Sequence, residues 1–235
     1  MMNLKQIFCK QELIKNDILM QESIDNKAKI EEQQKAVEEL QIQLKQSNTF
    51  INSFHNNNQI EEYWNNKRPK RLVTWEARNN YRMDVRSFFQ VDDTLPKFTG
   101  SNDEIVSDVL AWCITNIKYI PDKEENWKYA YETLKLKTGD CEDGAILIAN
   151  ILVNSGVSYW KIRLNKGFVK YNNQKTYHCF LTYLAEKDNV WYMIDWCYFP
   201  NESRDLKLSW KNAEKYFEPD ASWNSKFAFS GLNKE

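Results

Sequence analysis

The chain has 235 residues, 42% hydrophobic, 14% aromatic and 28% charged, with a formal net charge of −1. This fits one globular domain plus an extension, and the near-zero charge argues against the broad basic face of a nucleic-acid-binding protein. No run approaches the roughly 20 apolar residues of a membrane span, and residues 1–20 lack the apolar core of a signal peptide, so neither nucleic acid nor membrane is an expected partner.

Residues 1–47 contain no proline or glycine and are rich in Gln, Glu and Lys. Ile30, Val37, Leu40 and Leu44 step by seven, three and four, which predicts a helical extension with a short heptad stripe. Gln33 and Gln34 interrupt the seam, so the stripe suits a coiled coil or an arm laid on the domain or on a partner. Residues 48–70 are polar and Asn-rich and close on Lys67-Arg68-Pro69-Lys70-Arg71, which reads as a linker. The remainder, 71–235, holds the aromatic and aliphatic residues of a core.

Within that domain Ser101-Asn102-Asp103-Glu104 is a capping box opening a helix through Ile105, Val109, Trp112 and Ile117, stopped near Pro121. A second helix is predicted over Trp127 to Leu136 and a third over Glu142 to Asn154. Strands follow at Trp160 to Leu164, Gly167 to Tyr171, Tyr177 to Leu184 and Val190 to Trp196, rich in β-branched and aromatic residues. Helices first and an antiparallel sheet afterwards define an α+β domain. The aromatic tail from Trp210 to Phe229 is expected to pack back on the sheet.

The chemistry concentrates at Thr138-Gly139-Asp140-Cys141-Glu142-Asp143-Gly144-Ala145, directly before the apolar run Ile146 to Val153. A cysteine there stands at a helix N-terminus, where the helix dipole is expected to lower the thiol pKa from about 8.5 and favour the nucleophilic thiolate. Only two histidines could serve as its base: His55 lies in a polar stretch, whereas His178 opens a strand. Asp195 ends the next strand among apolar neighbours, where a carboxylate needs a partner. A short turn at Glu186 to Asn189 would make the two strands a hairpin and set His178 beside Asp195. Nucleophile, base and orienting acid are then Cys141, His178 and Asp195. The five cysteines form no Cys-x-x-Cys pair, which argues against zinc, and their odd number fits a reducing compartment.

At these residues the chain resembles the transglutaminase-like superfamily, permuted relatives of papain-type cysteine proteases. The resemblance rests on Gly139-Asp140-Cys141-Glu142-Asp143, Gly156-Val157, Trp160 to Leu164, His178 and Asp195. It extends upstream to Asn116-Ile117-Lys118-Tyr119 and Glu132-Thr133-Leu134, and covers about residues 100–230. Asp195-Trp196-Cys197-Tyr198-Phe199-Pro200 is most similar to versions encoded by tailed bacteriophages and prophages. Two features depart from the commoner pattern: Cys179 follows the histidine, and no proline stands near Ala130-Tyr131.

The resemblance implies a papain-like core and a peptidase, amidase or glutamine acyltransferase acting on a peptide or protein substrate without a cofactor. It also implies a bacterial cytoplasmic or virion setting. An upstream group is expected to help hold the oxyanion, with the indole N–H of Trp127 or Trp112 as candidate. Asp140, Glu142 and Asp143 are weak calcium candidates, because hard cations prefer carboxylates and some bacterial relatives bind calcium there. The alternative is that they cap the helix. A reading from another class is an idle phage assembly protein that engages a phage or host partner through residues 1–47.

Overall fold

A computed structural model describes residues 26, 27, 29–39, 41, 57–90, 92–217 and 219–230. Two units are distinguished, residues 1–54 and 55–235. In the first, residues 29–39 are helical (α1), with Ile30 and Val37 about half exposed. Leu40 and Leu44, which would complete the heptad stripe, and the segment 1–25 lie outside the described residues.

In the second unit, Asn57–Asn66 forms α2, inside the stretch read as a linker. Non-local packing overrides its Asn-rich composition: Trp64 meets the ring of Trp191 edge-on, and Asn65 is buried with its amide on the Tyr159 hydroxyl. A hairpin that the sequence reading did not foresee follows, β1 (Thr74–Arg78) and β2 (Tyr81–Asp84), antiparallel. Asn79 and Asn80 join them, both at positive φ, the left-handed pair that a tight hairpin turn requires and asparagine tolerates.

The predicted capping box is present: Ser101 caps α3 (Asn102–Asn116) and Glu104 returns to the Ser101 backbone N–H. Next come β3 (Lys118–Tyr119), α4 (Ala130–Leu136) and β4 (Thr138–Gly139), with β3 and β4 paired in parallel. α4 starts three residues later than predicted, after an extended segment in which the Trp127 backbone N–H bonds Ala77 in β1. α5 (Cys141–Asn154) is the core helix, with Ile146, Leu147, Ile148, Ala149, Ile151 and Leu152 fully buried. Burial of each larger aliphatic side chain contributes roughly 1.5–3 kcal/mol. Asn150, buried mid-helix, donates its amide N–H groups to the Phe88 and Ile146 carbonyls.

β5 (Ile162–Tyr171), β6 (Gln174–Leu184), β7 (Trp191–Ile194), β8 (Ala221–Trp223) and β9 (Ala228–Ser230) form one antiparallel sheet in the order β7-β6-β5-β8-β9. A short helix, α6 (Pro200–Arg204), lies between β7 and β8. The two strands predicted between Trp160 and Tyr171 are one, because Asn165 is satisfied inside the sheet by Arg163 O, the Thr182 hydroxyl and the Ser222 hydroxyl. The aromatic tail packs back as expected, and part of it joins the sheet as β8 and β9. α5 and this sheet enclose the main core, which includes Leu164, Leu181 and Trp223. The overall arrangement is the expected α+β one.

Candidate active site

Cys141 is the first residue of α5, and its helix end is fixed from two sides. Asp140 and Asp143 form a reciprocal capping arrangement. The Trp196 indole N–H donates to the Cys141 carbonyl at 3.2 Å. That ring lies so close to the first turn that a Cβ on Gly144 would stand 2.1 Å from it, so only glycine fits there.

The hairpin predicted for His178 and Asp195 exists: β6 and β7 pair, and Asp195 follows the last residue of β7. Asp103, near the start of α3, fixes the connection by accepting from the Tyr183 hydroxyl and the backbone N–H groups of Glu186 and Lys187. His178 Nε2 and Asp195 Oδ2 are 2.8 Å apart, and both side chains are fully buried. Asp195 has further donors in the Tyr216 hydroxyl at 2.6 Å and the backbone N–H groups of Cys197 at 3.0 Å and Tyr198 at 3.2 Å. Burial alone would raise its carboxyl, but the charge and hydrogen bond of His178, with those of Tyr216 and Cys197, overcome it and hold the group down to about 2.

The other imidazole nitrogen, His178 Nδ1, is buried and makes no hydrogen bond. The Cys141 sulfur hydrogen-bonds to Glu142 Oε2 at 3.2 Å rather than to Nδ1. One group links the thiol to the histidine strand: the backbone N–H of Cys179, next in chain to His178, is directed at the sulfur. The Tyr198 ring lies against the imidazole, its centroid 4.6 Å from that of His178.

The expectation of a depressed thiol pKa is corrected for this resting arrangement. Burial pushes Cys141 up, the neighbouring Glu142 carboxyl adds to the rise, and the Cys179 N–H opposes it only in part. Glu142 is itself raised by burial and by Asp140 and Asp143. The helix dipole is outweighed because the thiol sits among carboxyl groups out of water.

Trp127 is not available as an oxyanion donor. It is fully buried, stacked on Trp223, and its indole N–H already donates to Glu125 at 2.8 Å. Trp112 lies against Phe98 and beneath the Lys137 ammonium. The acidic cluster also differs from expectation. Asp140 and Asp143 group with Asp122, and Glu142 turns to the sulfur instead.

Sequence reasoning missed Tyr216 and Lys128, each brought in from a distant segment without a local motif, and it missed the contact that Trp196 makes with the first turn of α5. It also missed Lys166, which is 5% exposed against the rings of Trp75 and Tyr177 and is lowered by burial to about 8.

Helices followed by an antiparallel sheet, with a cysteine at the start of the core helix, place the fold in the class of papain-like α+β domains. The sequence matches the transglutaminase-like domain family over residues 88–217, more than half of the chain, and the protein belongs to that family. A comparison with curated protein sequences finds no match. Among solved structures, Legionella pneumophila LapG is 17% identical, with 80% of this chain and 87% of that one covered and a TM-score of 0.46. The calcium-bound form of LapG gives the same values. A candidate cysteine protease from Cytophaga hutchinsonii is 16% identical, with 59% of this chain and 48% of that one covered and a TM-score of 0.35.

Proposed function

We propose that the domain is a thiol-dependent acyl-transfer enzyme acting on peptide or side-chain amides, with Cys141 as nucleophile, His178 as general base and acid, and Asp195 as the group that orients the imidazole. The observation that carries this reading is the buried His178–Asp195 pair at 2.8 Å, with the opposite ring nitrogen unpartnered on the strand whose next residue contacts the Cys141 sulfur. With Asp195 fixing Nε2–H, the neutral ring presents Nδ1 as its lone-pair acceptor.

In the reaction the Cys141 thiol leaves Glu142 and passes its proton to Nδ1 as sulfur bonds to the carbonyl carbon. The resulting imidazolium is stabilised by Asp195 and returns the proton to the departing amine as the C–N bond breaks. The Cys141 backbone N–H, in the first turn of α5, is the oxyanion donor in this reading. Water resolving the acyl-enzyme gives a peptidase or amidase, and a lysine amine gives a transglutaminase.

The test is incubation with an activated aryl acetate, which needs no knowledge of the natural substrate. Acetylation confined to the Cys141 peptide, absent in Cys141→Ala and turned over faster when a primary amine is added, supports acyl transfer and identifies the acceptor class. Acetylation spread equally over the cysteines, or surviving in full in His178→Ala, would overturn it.

A further inference from the structure

Asp122, Asp140 and Asp143 bring carboxylate oxygens within 4.8 Å of one another, a donor set of the kind that hard divalent cations favour. A cation of the chain's own already stands there. Lys128 Nζ is 2.6 Å from Asp143 Oδ2 and 3.0 and 2.9 Å from the two oxygens of Asp122. The Lys128 backbone N–H adds a bond of 2.7 Å to Asp143 Oδ1, so one residue grips both oxygens of a carboxylate with no exposed surface.

The residues do not fit an additional divalent ion. Asp143 Oδ2 also accepts the Asp140 backbone N–H at 3.3 Å, and both Asp122 oxygens face the ammonium. Within the cluster only Asp140 Oδ1 lacks a hydrogen bond, whereas calcium takes six to eight oxygen ligands. Asp143 is therefore joined on one side to Lys128 and on the other to the N-cap of the helix that begins at Cys141. Gly139 leaves it room, since a Cβ there would stand 2.6 Å from the Asp143 side chain.

We propose that the Lys128 ammonium is the built-in cation of this cluster: a positioning residue that fixes the first turn of α5, and with it Cys141, without a divalent metal. The proposal is independent of whether Cys141 is catalytic, because its readout is the fold of the helix end.

The experiment is thermal unfolding of the full chain in EGTA, in millimolar calcium chloride and in magnesium chloride at matched ionic strength, for the native protein and for Lys128→Gln and Lys128→Arg. The native protein and the Arg variant are expected to unfold at the same temperature in all three. The Gln variant is expected to unfold earlier in EGTA and to recover with calcium, which then takes the vacated place among the carboxylates. If the Gln variant does not fold in EGTA, folding restored by calcium carries the same meaning. A native midpoint that rises with calcium or falls with EGTA would overturn the proposal, as would a Gln variant as stable as the native protein without metal.

Discussion

Two buried aspartates flank Cys141, and their surroundings treat the carboxylate charge in opposite ways. Asp195 faces donors: an imidazole, a tyrosine hydroxyl, the Cys197 thiol and two backbone N–H groups, and it is held down to about 2. Asp143 has a lysine and two backbone N–H groups, yet burial and the neighbouring Asp140 push it up to about 6. Full burial is common to both, so burial does not decide the outcome. What decides it is whether the remaining neighbours donate hydrogen bonds or carry like charge. The Asp195 arm is built to keep a charge behind an imidazole, and the Asp143 arm to hold a helix end in register.

The comparison breaks first at Asp195. Asp195→Asn leaves the shape but lets the imidazole adopt the wrong tautomer, and aryl-acetate turnover is expected to fall by about 10²–10⁴-fold, measured as steady-state rate. Gly144→Ala tests the Trp196 contact. A methyl driven into the indole is expected to cost about 3 kcal/mol in a denaturant titration, with poor expression at the extreme.

The pH dependence sharpens the contrast. Asp195 is lowered on folding, so the stability it contributes, about 2–3 kcal/mol, is present above the ordinary carboxylate pKa and is lost as pH falls towards 2. Asp143 is raised, so its contribution is present below the ordinary pKa and is lost as pH rises through about 6. Subtracting the unfolding profile of Asp195→Asn or Asp143→Asn from that of the native protein should give slopes of opposite sign.

The smaller effects come from single hydrogen bonds. Tyr216→Phe removes one donor from a charged acceptor and is expected to lower turnover about tenfold, in line with roughly 1.5 kcal/mol for such a bond. Ser101→Ala, at the cap of α3 and remote from the chemistry, is expected to cost about 1 kcal/mol of stability and leave turnover unchanged.

What could be read in the sequence was local. The capping box of α3, the apolar run of α5 and the β-branched and aromatic content of β6 and β7 state their structure within a few residues. What could not be read depends on partners far along the chain. Asn165 looks like a strand breaker until Thr182 and Ser222 satisfy it, and α2 looks like a linker until Trp64 meets Trp191. Trp127 appeared free to donate until the fold gave it Glu125. Dipole reasoning is local and points the thiol pKa down, whereas the burial that raises it is a property of the assembled cleft.

The central claim is that Cys141 and His178 exchange a proton, and site-resolved alkylation tests it most directly. The native protein and His178→Ala would be treated with iodoacetamide across pH and each cysteine read by mass spectrometry. The account predicts that Cys141 reacts at lower pH in the native protein than in the variant, because without His178 no base takes the proton from a thiol that burial and Glu142 push up. Identical Cys141 profiles in the two proteins would contradict it.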